Sequence, residues 1–164
     1  MAETKNIKLK LDQLLRIKED LEDSIRKDEG LMRKNNSRPK GEEDQIDFEE
    51  TKRIYELKLD QLTEIKKTIA AVNDTEGNNI TIYLLSNLNR RKAFLNSLNT
   101  FEGNRTTLKS AGKEVTFKAK LTNKKVEKEL KEIEADIRIM ETSLSDFNHS
   151  HEVTVDLYKE LSLF

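Results

Sequence analysis

The sequence predicts a mainly α protein: three to four long helices in an antiparallel coiled-coil arrangement, with a small β-hairpin before the last helix. Three observations carry that expectation. Charged residues make up 37% of the 164 positions, hydrophobic ones 35% and aromatic ones 5%, so Leu and Ile must do most of the burying and an elongated helical body fits better than a thick globule. Apolar positions recur at helical steps of three and four through most of the chain. Before the last helix the pattern changes to the period of two that marks a half-buried strand. The length suits one domain, residues 1–164, read as a single helical bundle with the hairpin at about residues 104–121.

The first helix is expected from about residue 6 to 29, with Ile7, Leu11, Leu14, Leu21 and Ile25 on one face and Lys18 interrupting it. Gly30 is its stop, and Asn35-Asn36-Ser37-Arg38-Pro39-Lys40-Gly41, with the only proline, places a loop over residues 33–42. Glu42, Glu43, Asp44, Asp47, Glu49 and Glu50 suit the electropositive start of a second helix and read as its solvated first turns. That helix carries Phe48, Tyr55, Leu59, Leu62, Ile65 or Lys66, Ile69 and Val72 to about residue 72, and the polar run from Asn73 to Asn79 ends it. A third helix starts near Thr81, whose hydroxyl caps free backbone N–H groups, presents Leu84, Leu85, Leu88, Leu95 and Leu98, and ends near Thr100.

Val115, Phe117, Ala119 and Leu121 then alternate with Thr116, Lys118 and Lys120, which reads as a strand. Ser110-Ala111-Gly112-Lys113 supplies the turn and Arg105 to Lys109 the partner strand. The last helix has the cleanest signal: Val126, Leu130, Ile133, Ile137, Met140, Leu144 and Phe147 form an unbroken heptad stripe, either a core seam or an oligomer face. Thr122 or Asn123 caps its start, and Asn148-His149-Ser150-His151 ends it. Val153, Val155 and Leu157 alternate with Thr154 and Asp156, and read as a short third strand beside the hairpin.

Several kinds of chemistry have no foothold. The chain has no Cys, so disulfides, thiolate metal sites and a Cys nucleophile are excluded. Five scattered glycines form no phosphate-cradling loop. His149-x-His151 is the one histidine pair, and it reads as a polar helix end rather than as two ligands of a metal site. No catalytic residue, metal or cofactor is expected, nor a small-molecule substrate; the expectation is a non-enzymatic protein. The start of the chain shows no apolar run of signal-peptide length, and no 18 consecutive residues are apolar, so a cytoplasmic location is expected.

The charges balance at a formal net of -1, yet not locally. Between residues 105 and 131, nine Lys and Arg face Glu114, Glu127 and Glu129. Lys118, Lys120, Lys124, Lys125 and Lys128 are the candidate anion contact, for phosphates or anionic head groups, although Lys on a strand edge also blocks edge-to-edge aggregation. The leading expectation for partners is self-association, because narrow apolar stripes on long helices need neighbours to cover them. Another protein partner is the next, and nucleic acid or an anionic membrane follows.

Three local patterns add a resemblance. Leu11, Leu14-Leu15-Arg16 and Leu21 open the chain, Val72-Asn73-Asp74-Thr75 precedes the helix at Thr81, and Val115-x-Phe117 leads into the heptad helix and Phe147-Asn148-x-x-x-Glu152. In this order, over roughly residues 7–152, the chain resembles a septicolysin-like family of small uncharacterised bacterial helical proteins. Where that family tends to carry an Arg-Asp pair in the third helix, this chain has Asn87-Leu88. The resemblance implies the same helix–hairpin–helix architecture, and the family's label points to pore formation as an alternative function.

Overall fold

The computed structural model describes residues 3–37, 45–106 and 114–163. Within them the chain is mainly helical with two small antiparallel sheets. The order is β1 (Thr4–Lys10), α1 (Leu11–Asn35), α2 (Phe48–Thr75), α3 (Asn78–Ser97), β2 (Gly103–Thr106), β3 (Glu114–Phe117), α4 (Asn123–Ser150) and β4 (Glu152–Tyr158), followed by a single 3₁₀ turn, Lys159–Leu161. Two compact units result: residues 1–77 with 145–164, and residues 78–144.

In the first unit β1 pairs antiparallel with β4, Thr4 opposite Tyr158 through Lys10 opposite Glu152. The helix expected from residue 6 therefore begins at Leu11, because Ile7 and Leu9 belong to the strand. Ile7 lies four residues before Leu11 and fits a helical stripe by coincidence; its actual partner, Val155, is far away in sequence. Leu11 N–H donates to the His151 carbonyl, and Lys10 N–H donates to Gln13 Oε1, which together turn the strand directly into α1. The C-terminal strand exists, but it pairs with β1 and not beside β2 and β3.

Helix α1 runs through Gly30 to Asn35. A glycine inside a helix costs roughly 0.5–1 kcal/mol relative to alanine, too little to stop a helix packed along its length. The expected loop over 33–42 thus begins later than predicted; its residues 38–42, and Glu43 and Asp44 of the acidic run, lie outside the described residues. Asp47 caps α2 by accepting from Glu50 N–H, and Gly77, at a φ of 71°, takes the left-handed conformation that ends the helix.

Helices α1 and α2 run antiparallel, as their cross-links require: Glu29 accepts from the Tyr55 hydroxyl, Asp28 pairs with Lys58 at 2.5 Å and Glu22 with Lys66 at 2.8 Å. Between them lie Leu11, Leu14, Leu21, Ile25, Leu62 and Ile65, joined by Val153, Val155 and Leu157 from the inner face of β4. Each such side chain contributes about 1.5–3 kcal/mol by leaving water.

The second unit is thinner. Leu95, Val126, Ile133 and Ile137 form its buried cluster, with Leu85, Leu88, Leu98, Leu121 and Leu130 packed against it. Arg91 pairs with Glu129 at 3.1 Å and Lys92 with Glu134 at 2.9 Å, tying α3 to α4. Strands β2 and β3 pair antiparallel with Gly103 opposite Phe117, and the Phe101 and Phe117 rings meet edge-on at 5.9 Å. The partner strand expected at 105–109 begins earlier, at Gly103; the turn at 110–113 lies outside the described residues. β3 ends at Phe117, so Lys118 and Lys120 stand in the connection to α4 and not on a strand face.

Candidate functional site

The α4 stripe divides between the two units. Val126, Ile133 and Ile137 are buried against α3 residues, and Leu130 is half-buried beside them. Met140 and Leu144 are half-buried, and Phe147 packs on the core of the first unit. The seam that sequence leaves open between core and interface is, at Val126, Ile133 and Ile137, covered within the chain.

The five candidate lysines are all exposed. Lys124 and Lys125 sit in a first turn without any acid, at the positive end of the α4 dipole, where cations are unfavourable for the helix. The Thr122 carbonyl accepts from Lys125 and Val126 N–H, both at 3.0 Å, and Asn123 Nδ2 donates to Glu127. Lys128 reaches Glu132 only at 3.9 Å. A surface hollow of about 630 Å³ lies here, lined by Thr122, Lys124, Lys125, Glu127, Lys128 and Lys131. Lysine stems make up much of its wall, and a lysine stem can lie along such a wall while its ammonium group stays in water.

Helix α3 carries a feature that sequence reasoning missed. Beside the side chains packed against α4, it exposes Ile80 (69%), Tyr83 (68%), Leu84 (45%) and Phe94 (58%). Among the described residues ten large hydrophobic side chains are exposed, and eight lie in residues 78–144. The signal was present in Ile80, Tyr83, Asn87 and Phe94, spaced three, four and seven apart, a second stripe interleaved with Leu85, Leu88 and Leu95. The expected apolar side, Leu84, Leu85, Leu88, Leu95 and Leu98, leaves Ile80, Tyr83 and Phe94 unassigned.

His149 and His151 have separate partners. His149 Nδ1 lies 3.2 Å from Asp12 Oδ2, and that hydrogen bond is the main cause holding the Asp12 carboxyl below its ordinary range. The His151 ring stacks on Phe147 at 4.8 Å. Among the described residues no three His, Cys, Asp or Glu side chains cluster as metal ligands do.

A polar cleft of about 320 Å³ flanks the β1–β4 sheet, and several of its wall groups are already held by hydrogen bonds or ion pairs. Asn6 donates to Asp156 at 2.8 Å, Lys67 pairs with Glu64 at 2.7 Å, and Thr68 donates to the Glu64 carbonyl. Gln61, 1% exposed, donates from Nε2 to the Asp156 carbonyl at 3.0 Å and accepts at Oε1 from Tyr158 N–H at 2.7 Å. The cleft is therefore the outer side of a packing joint.

Among the described residues no helix is long and apolar enough to cross a membrane. Comparison with known proteins finds no matching family model, no matching curated protein and no matching solved structure.

Proposed function

We propose that this chain is a non-enzymatic assembly protein that associates with itself through apolar faces of its helices, packed as coiled coils. The observation that carries this reading is the concentration of exposed apolar side chains on a unit with four buried ones among the described residues. A cluster of large exposed apolar side chains on one helix face is the kind of surface that marks an interaction site. Light scattering over a protein concentration series tests it: a mass above that of one chain, rising with concentration, supports self-association, and one-chain mass throughout overturns it. Ile133→Asp and Ile137→Asp place a carboxylate in the buried cluster of the second unit, so they are expected to unfold that unit, read as lost helix signal, and not to release intact monomers.

A second reading is favoured by the Lys-lined hollow at the start of α4, which suits a phosphate backbone. It predicts nucleic-acid binding that weakens steeply with salt, and that Lys124→Glu with Lys125→Glu abolishes. The septicolysin-like resemblance adds a third reading, pore formation, for which dye release from anionic liposomes is the direct assay.

A further inference from the structure

The exposed face of α3 is specific enough to name its occupant and orientation. Resting on the self-association proposed above, we infer that α3 docks antiparallel on α3 of a second copy, with Asn87 beside the two-fold axis. Positions 80, 83, 87, 90 and 94 fall on one heptad seam, and all five side chains are exposed. Asn87 is at its centre, with Ile80 and Tyr83 on one side and Phe94 on the other. Such a face is complementary to itself, as an isologous interface requires.

Self-complementarity of the seam selects the partner, and charge selects the direction. Helix α3 contains no acid, and its cations are confined to Arg90, Arg91 and Lys92. Arg91 and Lys92 are already paired with Glu129 and Glu134 of the same chain, so Arg90 is the cation left without an ion pair among the described residues. A parallel pair would set the Arg90 side chains of both copies level with each other. An antiparallel pair separates them and lays each near Tyr83 and Leu84 of the opposite helix, where a guanidinium gains from the aromatic face. Opposed helix dipoles add to the same preference.

The area is sufficient. Ile80, Tyr83, Leu84 and Phe94 are 69%, 68%, 45% and 58% exposed, and at about 150–250 Å² for a fully covered aromatic side chain and somewhat less for an aliphatic one they offer up to roughly 500 Å² per copy. A symmetric pair then buries up to about 1,000 Å², where specific interfaces begin. Asn87 at the axis exchanges amide hydrogen bonds and penalises shifted registers, as single polar residues do in coiled coils.

The chain has no Cys, which makes single-cysteine cross-linking clean. Asn87→Cys is expected to be joined into covalent dimers by a short bis-maleimide. Ser97→Cys is not, because antiparallel copies hold those positions about 30 Å apart. Cross-linking of both variants means a parallel pair, and cross-linking of neither, or of Ser97→Cys alone, means another face; each overturns the inference. Phe94→Lys, exposed and outside the buried cluster, is expected to return the mass to one chain with the helix signal intact. A wild-type multimer that Asn87→Cys does not link leaves self-association standing and removes this face. A wild-type monomer removes both.

Discussion

Gln61 is the one polar side chain buried in the core among the described residues, and its carboxamide engages β4 as a neighbouring peptide unit would. Truncation by Gln61→Ala strands an N–H and a C=O, at an expected cost of about 1–3 kcal/mol in urea unfolding. Gln61→Glu keeps the acceptor for Tyr158 N–H but turns a carboxylate oxygen toward the Asp156 carbonyl, and is expected to be at least as harmful. Gly30 makes the opposite prediction. A Cβ there meets nothing within 4 Å, so Gly30→Ala should stabilise by about 0.5–1 kcal/mol, whereas a glycine that truly ended its helix would lose stability on the same change. Neither role was legible in the sequence. A glutamine in a helical pattern reads as surface, and a lone glycine reads as punctuation, until the packing around each is known.

At the scale of elements, ion pairs tie the pieces together and set a pH response. Glu22, Glu134, Glu152 and Glu160 have carboxyls held below their ordinary range, chiefly by hydrogen bonds from Lys66, Lys92, Lys8 and Arg53. A depressed folded-state pKa contributes stability above the unfolded value, near 4.3 for Glu, and loses it as pH falls through the folded one. Urea midpoints should therefore stay level from neutrality to about pH 5 and decline below about pH 4. The Arg53→Ala variant, which unpairs both Glu50 and Glu160, should decline less. Long helices with sustained periodicity, α2 and α4 above all, were legible to within a few residues, because 3.6-residue patterning is local information. The β1–β4 pairing was not. Its partners stand about 150 residues apart, and Ile7-Lys8-Leu9-Lys10 is too short to separate a strand from the first turns of the helix it adjoins. The α4 stripe was visible as a stripe, but its coverage by Leu85, Leu88 and Leu95 depends on tertiary packing.

For the whole molecule, two units with unequal cores predict unequal protection. Among the described residues nine buried apolar side chains hold the first unit and four the second. Hydrogen exchange in dilute protein should be fast along α3 and slow along α1, and raising the concentration should slow α3 selectively if that helix is the contact face. Uniform exchange, or slowing confined to α1, would count against that assignment. The outer rungs of the β1–β4 ladder have a mechanical consequence as well. Glu3 and Lys159 are bonded to each other through backbone and side chain, 3.0 Å and 2.8 Å apart, and the rungs run inward from Thr4 and Tyr158 to Lys10 and Glu152. Force applied to the two ends of the chain therefore loads this ladder as a zipper, one rung at a time and never all together. Pulled from its ends, the protein should open at low force along its own seam, well before tension reaches the helices.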